Sequence, residues 1–563
     1  MPSRKKYALK PYYKLLISCP ITVTIAVLLG IGANPFDTVG QTHAADAPTP
    51  AIDAEGQAGS GQQQDSEQAE DGERPVFYRP IRTAPEFRHP PGHGLAPDRA
   101  RVPTPLTKPF PPEFGYQNRI TFEDVTPLDE LDAIGVRLVS VALDEPILAA
   151  ESLRQIALRG EIALVPPLIH AMQFSRLPET EIARVLRRLT SENPGPGWFQ
   201  WAQWLEANPQ LILSPSLAQA VTTMWSSVDG KYRQLLPAER AATVSKASIF
   251  WDGSRVDAAP PQEQPQAVPP NEAFGYQPDD LVIGVTINGQ HRAYSHAQLL
   301  LTPIINDELG GHAITVTYEP YCGFPVAFDR GLAGAPVIGS LEWAGLVYRS
   351  SRLLYDPSND NRLWDPCSGR AVTKGTALLG QAAATVTSWT AWRGTHPTTT
   401  AMATGAAPKA SLESLQAQDS YIQSNRLVYP VHLKQPVLSA KERMLLIQHE
   451  DGDHAIRLSD LKARSVMNHT LNGKRVVIVV ENPINCTIRV YERPNGQIFS
   501  PTEFVDRVFG SGGGVWKATE EALIGPDGER LARLPARGLF WFTLDGFNPI
   551  TETQADQSAS LPN

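Results

Sequence analysis

Sliding this 563-residue chain along itself by 162 positions lays two stretches over one another, and that repeat restricts the fold more than any other feature. "VTINGQHRAYSHAQL", Val285 to Leu299, falls on "IQHEDGDHAIRLSDL", Ile447 to Leu461. In the same register "IINDELGGHAITV", Ile304 to Val316, falls on "VMNHTLNGKRVVI", Val466 to Ile478. Ala293 meets Ala455, Leu299 meets Leu461, Asn306 meets Asn468 and Gly311 meets Gly473. Period-two alternation in "HAITVTY" and the unbroken apolar run in "RVVIVV" mark strands. Each copy reads strand, polar turn, strand, short helix, Asn-containing turn, Gly turn, strand, which gives Asn306 and Asn468 a turn role. Two related mixed β-rich lobes are therefore expected, 245–405 and 406–552. With two residues inserted in the second copy, Cys322 also falls opposite Cys486.

The chain ahead of the repeat has a different texture. "ILAAESLRQIALRG", "EIALVPPLIHAMQ" and "TEIARVLRRLTSE" carry apolar residues at helical spacing, with Gly160 and the Asn193-Pro194 turn as stops. "GWFQWAQWLEANP" sets Trp198, Phe199, Trp201 and Trp204 on one helix, a stripe read as core or interface. The fold class is α+β: an α-helical repeat domain of HEAT-like character over 113–244, then the two lobes. Residues 46–112, typified by "AEGQAGSGQQQDSEQAEDGE", are too polar to bury a core and read as a disordered Pro/Gly/Gln-rich linker; 553–563 reads as a disordered tail. In 1–45, Arg4, Lys5, Lys6, Lys10 and Lys14 precede an apolar run from Leu15 to Ala33, with cleavage candidates at Ala33 and in "THAADA". That is an export signal, and the run is also long enough to be an uncleaved membrane anchor. The expected location is extracytoplasmic, the periplasm, with or without an inner-membrane tether.

A net charge of -9 argues against nucleic acid as a partner. The four cysteines, Cys19, Cys322, Cys367 and Cys486, form no C-x-x-C, which excludes a zinc ribbon or a thioredoxin-type pair. No metal ligand set or cofactor is assigned, and His291 and His396 are read as surface or packing residues.

Four blocks, "DLVIGVTINGQHRAYSHAQL", "IINDELGGHAITVTYEPYCGFPVAFDR", "GLVYRSSRLLYDPSNDNRLWDPCSGRAV" and "VTSWTAWRGTHPTT", resemble in order the bacterial and archaeal domain of unknown function 3179 family. "IFWDGSRVD", Ile249 to Asp257, resembles that family's lead-in, and the preceding helices resemble the helical region of its longer members. The resemblance implies a tyrosine followed by C-x-x-C-G at the end of the third strand. Here that place reads Tyr318, Glu319, Pro320, Tyr321, Cys322, Gly323, so Glu319 stands where the first cysteine would be. A His-Glu pair that often precedes the family's Asn block is replaced by "LLLTPIIND".

Cys322 then has three readings: a disulfide with Cys367, a buried free thiol, or a nucleophile needing a nearby base or cation. Three mature cysteines leave one unpaired within the chain. Alternation would put Tyr348, Ser350 and Arg352 on one face of a strand and Val347, Arg349 and Ser351 on the other. Arg349 and Arg352 could grip an anion, or belong to a solvated face or a salt bridge to Asp356. The candidate pocket is Tyr318, Glu319, Cys322, Arg349, Arg352, Tyr355, Asp356 and Asn306. Two functions are compatible with it. One is an envelope binding or scaffold protein that holds a protein partner through the helices, or a small molecule, around a degenerate C-x-x-C site. The other is a thiol- or metal-dependent envelope enzyme using Cys322.

Overall fold

A computed structural model describes residues 131–331, 338–404, 420–434, 438–449, 452–462, 464–471 and 473–545. The expected signal or anchor, the linker and the C-terminal tail lie outside them. Among the described residues no helix is long and apolar enough to cross a membrane.

Seven α-helices occupy Leu131–Leu143, Pro146–Arg159, Val165–Ala171, Glu179–Thr190, Trp198–Glu206, Pro215–Ser226 and Tyr232–Leu235. Their ends obey local rules. Pro146 opens the second helix and left-handed Gly160 closes it; the fourth has Glu179 and Glu181 in its first turn and Arg187 and Arg188 in its last, matching the helix dipole. Trp198 and Trp201 are fully buried, as the aromatic stripe implied. The helices share one apolar core with Phe250, Trp251, Leu346, Tyr348, Tyr429 and Phe542. Polar ties reinforce that join: Tyr232 Oη donates to the Ser254 and Gly345 carbonyls (2.6 and 3.1 Å), and Gln203 Nε2 donates to the Val431 carbonyl (2.7 Å).

The repeat is a repeat of structure. In the first copy, strands Leu281–Ile287 and Gln290–Ser295, helix His296–Leu301 and strands Ile304–Leu309, His312–Tyr318 and Pro325–Asp329 follow in order. In the second, strands Arg443–His449 and Gly452–Arg457, helix Leu458–Leu461 and strands Val466–Leu471, Lys474–Asn482 and Thr487–Glu492 do the same. Starts at 281, 290, 296, 304, 312 and 325 become 443, 452, 458, 466, 474 and 487, a constant step of 162. Pairing register is also copied: Val282 faces Ser295 as Met444 faces Arg457, and Ile304 faces Thr317 as Val466 faces Val479. Because the step persists past the cysteine loop, Cys486 lies opposite Phe324, and the two-residue insertion expected there does not exist.

Each copy then leaves its sheet and returns. Gly380–Ala382 and Ala384–Ser388 come back to pair with Pro325–Asp329 and Leu281–Ile287. Arg530–Leu534 and Ala536–Phe540 return in the same way to Thr487–Glu492 and Arg443–His449. The excursions differ. The first copy's builds a five-stranded antiparallel sheet with Ile249–Trp251 at one edge. The second's extends the Val466–Leu471 sheet to eight strands, ending at Phe499–Pro501.

Asn306 and Asn468 are not turn residues; both sit within strands. Asn468 Nδ2 donates to the Phe499 carbonyl (2.8 Å) while its Oδ1 accepts from the Phe499 N–H (2.9 Å). Asn306 does the same to Leu341 (3.1 and 3.2 Å). In both copies a side-chain amide imitates a strand and satisfies a buried backbone unit of the excursion. Replacing either by alanine leaves that unit unpaired, and we expect urea denaturation to show a loss of about 1–3 kcal/mol. A loss below about 0.5 kcal/mol, the level of an ordinary surface change, would contradict this role.

Candidate functional site

The loop Glu319–Phe324 follows the strand His312–Tyr318 and folds tightly on itself. Cys322 N–H and Gly323 N–H both donate to the Glu319 carbonyl (3.0 and 3.2 Å), and Tyr321 N–H donates to Glu319 Oε1 (3.1 Å). Gly323 holds φ +92°, and a Cβ there would strike the Phe540 ring, so the turn needs glycine. Phe540 ends the closing strand of the second copy, which makes this loop a junction between the copies.

Glu319, in the place the resemblance gives to a cysteine, accepts from Arg352 Nε at 3.0 Å with both side chains almost fully buried. The Arg352 guanidinium lies between the Trp343 ring (4.3 Å to its centroid) and the Tyr321 ring (4.7 Å). Asp252 stands beside the group, accepting from Trp343 Nε1 (3.1 Å) and from Ser254 N–H (2.8 Å) and Oγ (2.6 Å). Two buried carboxylates thus face one guanidinium. Burial pushes Glu319 up to about 7 against the pull of Arg352, and it raises Asp252 as well. A wall of tyrosines encloses the cluster: Tyr421 Oη donates to the Tyr321 carbonyl (3.1 Å) and Tyr429 Oη to the Asp252 carbonyl (2.7 Å). Lys441 sets its ammonium 3.1 Å from the Tyr421 ring centroid, and burial pulls it down to about 7.

Cys322 is bonded to Cys367, with Cα atoms 6.1 Å apart. Of the three readings, the disulfide is the one that forms, and Cys486 is left as a buried free thiol that burial pushes up to about 12. Cys367 is held by Asp365, which accepts from Cys367 N–H (3.1 Å), Ser368 N–H (3.1 Å), Ser368 Oγ and Ser351 Oγ. A cavity with room for about one water lies against the disulfide, lined by Glu319, Cys322, Phe324, Cys367, Arg537 and Gly538. Arg537 donates to the Cys367 carbonyl (2.7 Å), while its Nε and Nη1 find no protein acceptor.

Tyr348 to Arg352 is not one strand with two faces. The strand ends at Tyr348, and Arg349 and Ser350 form a two-residue hairpin turn with φ +47° and +60° before Ser351 begins the next. Neither arginine is solvated or paired with Asp356. Arg349 is buried against Glu206 and Asp545 (3.6 Å to the latter) and donates to the His432 and Phe542 carbonyls (3.2 and 3.4 Å). Tyr318, Glu319, Cys322 and Arg352 are gathered at the loop. Tyr355, Asp356 and Asn306 bond elsewhere: Tyr355 Oη to Asp257 and Glu342, Asp356 to Ser358, and Asn306 to Leu341, Glu263 and Thr315. Sequence reasoning gave no role to Asp252, Trp343, Tyr321, Tyr421, Tyr429 or Arg537, although Asp252 and Tyr321 stood in segments quoted for the resemblance. Among the described residues no group of three or more His, Cys, Asp or Glu side chains is arranged for a metal ion.

The geometry defines a class: a duplicated β-rich protein with a helical region, in which a disulfide and a buried ion pair weld the parts at one loop. The chain belongs to the family described as protein of unknown function (DUF3179), whose model matches residues 256–551. No curated protein and no solved structure matches it.

Proposed function

We propose that this is an exported cell-envelope protein of binding or scaffold type, in which the family's paired-cysteine position has become a structural weld. The observation that carries this reading is the state of that loop. Cys322 is spent in a bond to Cys367 and Glu319 in a pair with Arg352. A buried disulfide is at home in an oxidising compartment, which supports the periplasm as the location and a signal or anchor in 1–45. The helices over 113–244, read as HEAT-like, supply the partner surface. They expose Val136, Ile147, Leu148 and Ile162, and the loop after Trp198–Glu206 exposes Ile212, apolar side chains of the kind that protein contacts use. The cavity at the weld fits about one water, which favours a protein partner over a small molecule. The enzyme reading requires a reduced Cys322 and is the less supported of the two.

Export is tested by fusing alkaline phosphatase after residue 552 and assaying whole bacterial cells. The reporter matures only where disulfides form, so activity is expected, and its loss on deleting 1–45 should follow. An inactive, intact fusion would refute export.

A further inference from the structure

His291 and His396 are 105 positions apart in sequence, yet their ring centroids lie 4.4 Å from one another. We propose that the pair is a surface site for a divalent transition ion of the zinc class, each imidazole giving its Nε2 and water filling the remaining positions.

Orientation is the first support. His291 sits on the strand Gln290–Ser295, where its Nδ1 bonds Thr286 Oγ1 across the hairpin at 2.8 Å. His396 caps the helix Trp389–Thr395, and its Nδ1 lies 3.1 Å from the Trp392 carbonyl and 2.9 Å from Thr395 Oγ1. A carbonyl can only accept, so the His396 proton is on Nδ1 and its Nε2 carries the free lone pair. Neither Nε2 has a hydrogen-bond partner among the described residues. Metal-binding histidines are typically fixed in this way, one nitrogen anchored to oxygen and the other open.

Spacing is the second. Two imidazoles bound about 2.0 to 2.1 Å from one ion place their centroids roughly 4.5 Å apart at a right angle and about 5.2 Å apart at the tetrahedral angle. The observed separation matches the right-angle value. The scaffold below is firm: Trp392 stacks on His396 at 4.0 Å, and Gly284 lets the Trp392 ring lie directly on the neighbouring strand. Burial lowers both imidazoles, favouring the neutral, ligating form, and Glu520 and Glu521 of the second copy's excursion add negative charge on His291. Borderline nitrogen donors select zinc, nickel or copper over magnesium or calcium.

The test is calorimetric titration of zinc into the chelator-treated full chain at pH 7.5, repeated with His291→Gln and His396→Gln. One equivalent is expected, weakened on the order of tenfold or more in each variant, with near-UV circular dichroism unchanged. If His291→Gln misfolds, His396→Gln decides alone, because that side chain ends a helix. No zinc uptake overturns the proposal. So does uptake that survives the substitutions, which would place it at other side chains of the chain.

Discussion

Replacing Arg352 by methionine is expected to lower the unfolding free energy by about 3–5 kcal/mol at neutral pH, the cost of leaving buried charge without its counter-ion. Arg352 is the cation that both Glu319 and Asp252 face, and its flat guanidinium fills the gap between Trp343 and Tyr321. Methionine restores volume but not charge, so both carboxylates must take up protons for the core to close. Glu319→Gln should behave oppositely, because it leaves one carboxylate on one guanidinium. Its effect follows from the direction of the Glu319 shift, upward from 4.5 to about 7. An acid raised in the folded state contributes stability that is complete below its unfolded value and declines as pH rises through the folded one. The wild-type protein should therefore lose stability relative to Glu319→Gln between about pH 4.5 and 7, by up to roughly 3 kcal/mol, and run parallel to it above. Asp252, also raised, tilts the wild-type curve in the same sense. Urea titrations of the three proteins across pH 4 to 8 measure this. A wild type that grew more stable than Glu319→Gln with rising pH would refute the buried-carboxylate account.

The second large effect belongs to the disulfide. Cys322 and Cys367 are separated by 45 positions, and closing a loop of that size restricts the unfolded chain by about 4 kcal/mol. Cys322→Ala with Cys367→Ala should lower the melting temperature accordingly while leaving the far-UV spectrum of the folded state in place. If Cys322 were a catalytic thiol, its loss would abolish an activity and barely move stability. A melting temperature unchanged by the double substitution would argue for that alternative.

What the sequence displayed, and what it hid, follows from the range of each signal. The 162-residue step was visible because apolar spacing and glycine turns survive within each copy. The closing strands were not, because excursions of unequal length change the step: Ala384 and Ala536 hold corresponding places facing Val285 and Ile447. Asn306 and Asn468 looked like turn formers because asparagine is rare inside strands, yet each contributes an amide where a strand is missing. The Arg349-Ser350 hairpin was invisible for a related reason. Such turns ordinarily announce themselves with Asn or Gly, and here burial of Arg349 between Glu206 and Asp545 holds the left-handed backbone instead. Cys367 could be named as a partner of Cys322 because few cysteines exist, whereas Asp252 meets Arg352 across 100 positions with nothing local to signal it.

The most direct measurement is mass-spectrometric mapping of the protein taken from the bacterial envelope, alkylated at harvest and digested without reduction. The account predicts one cross-linked species joining the Cys322 and Cys367 peptides, with Cys486 alkylated only after denaturation. Alkylated Cys322 in the native protein, or Cys322 joined to any other cysteine, would contradict it.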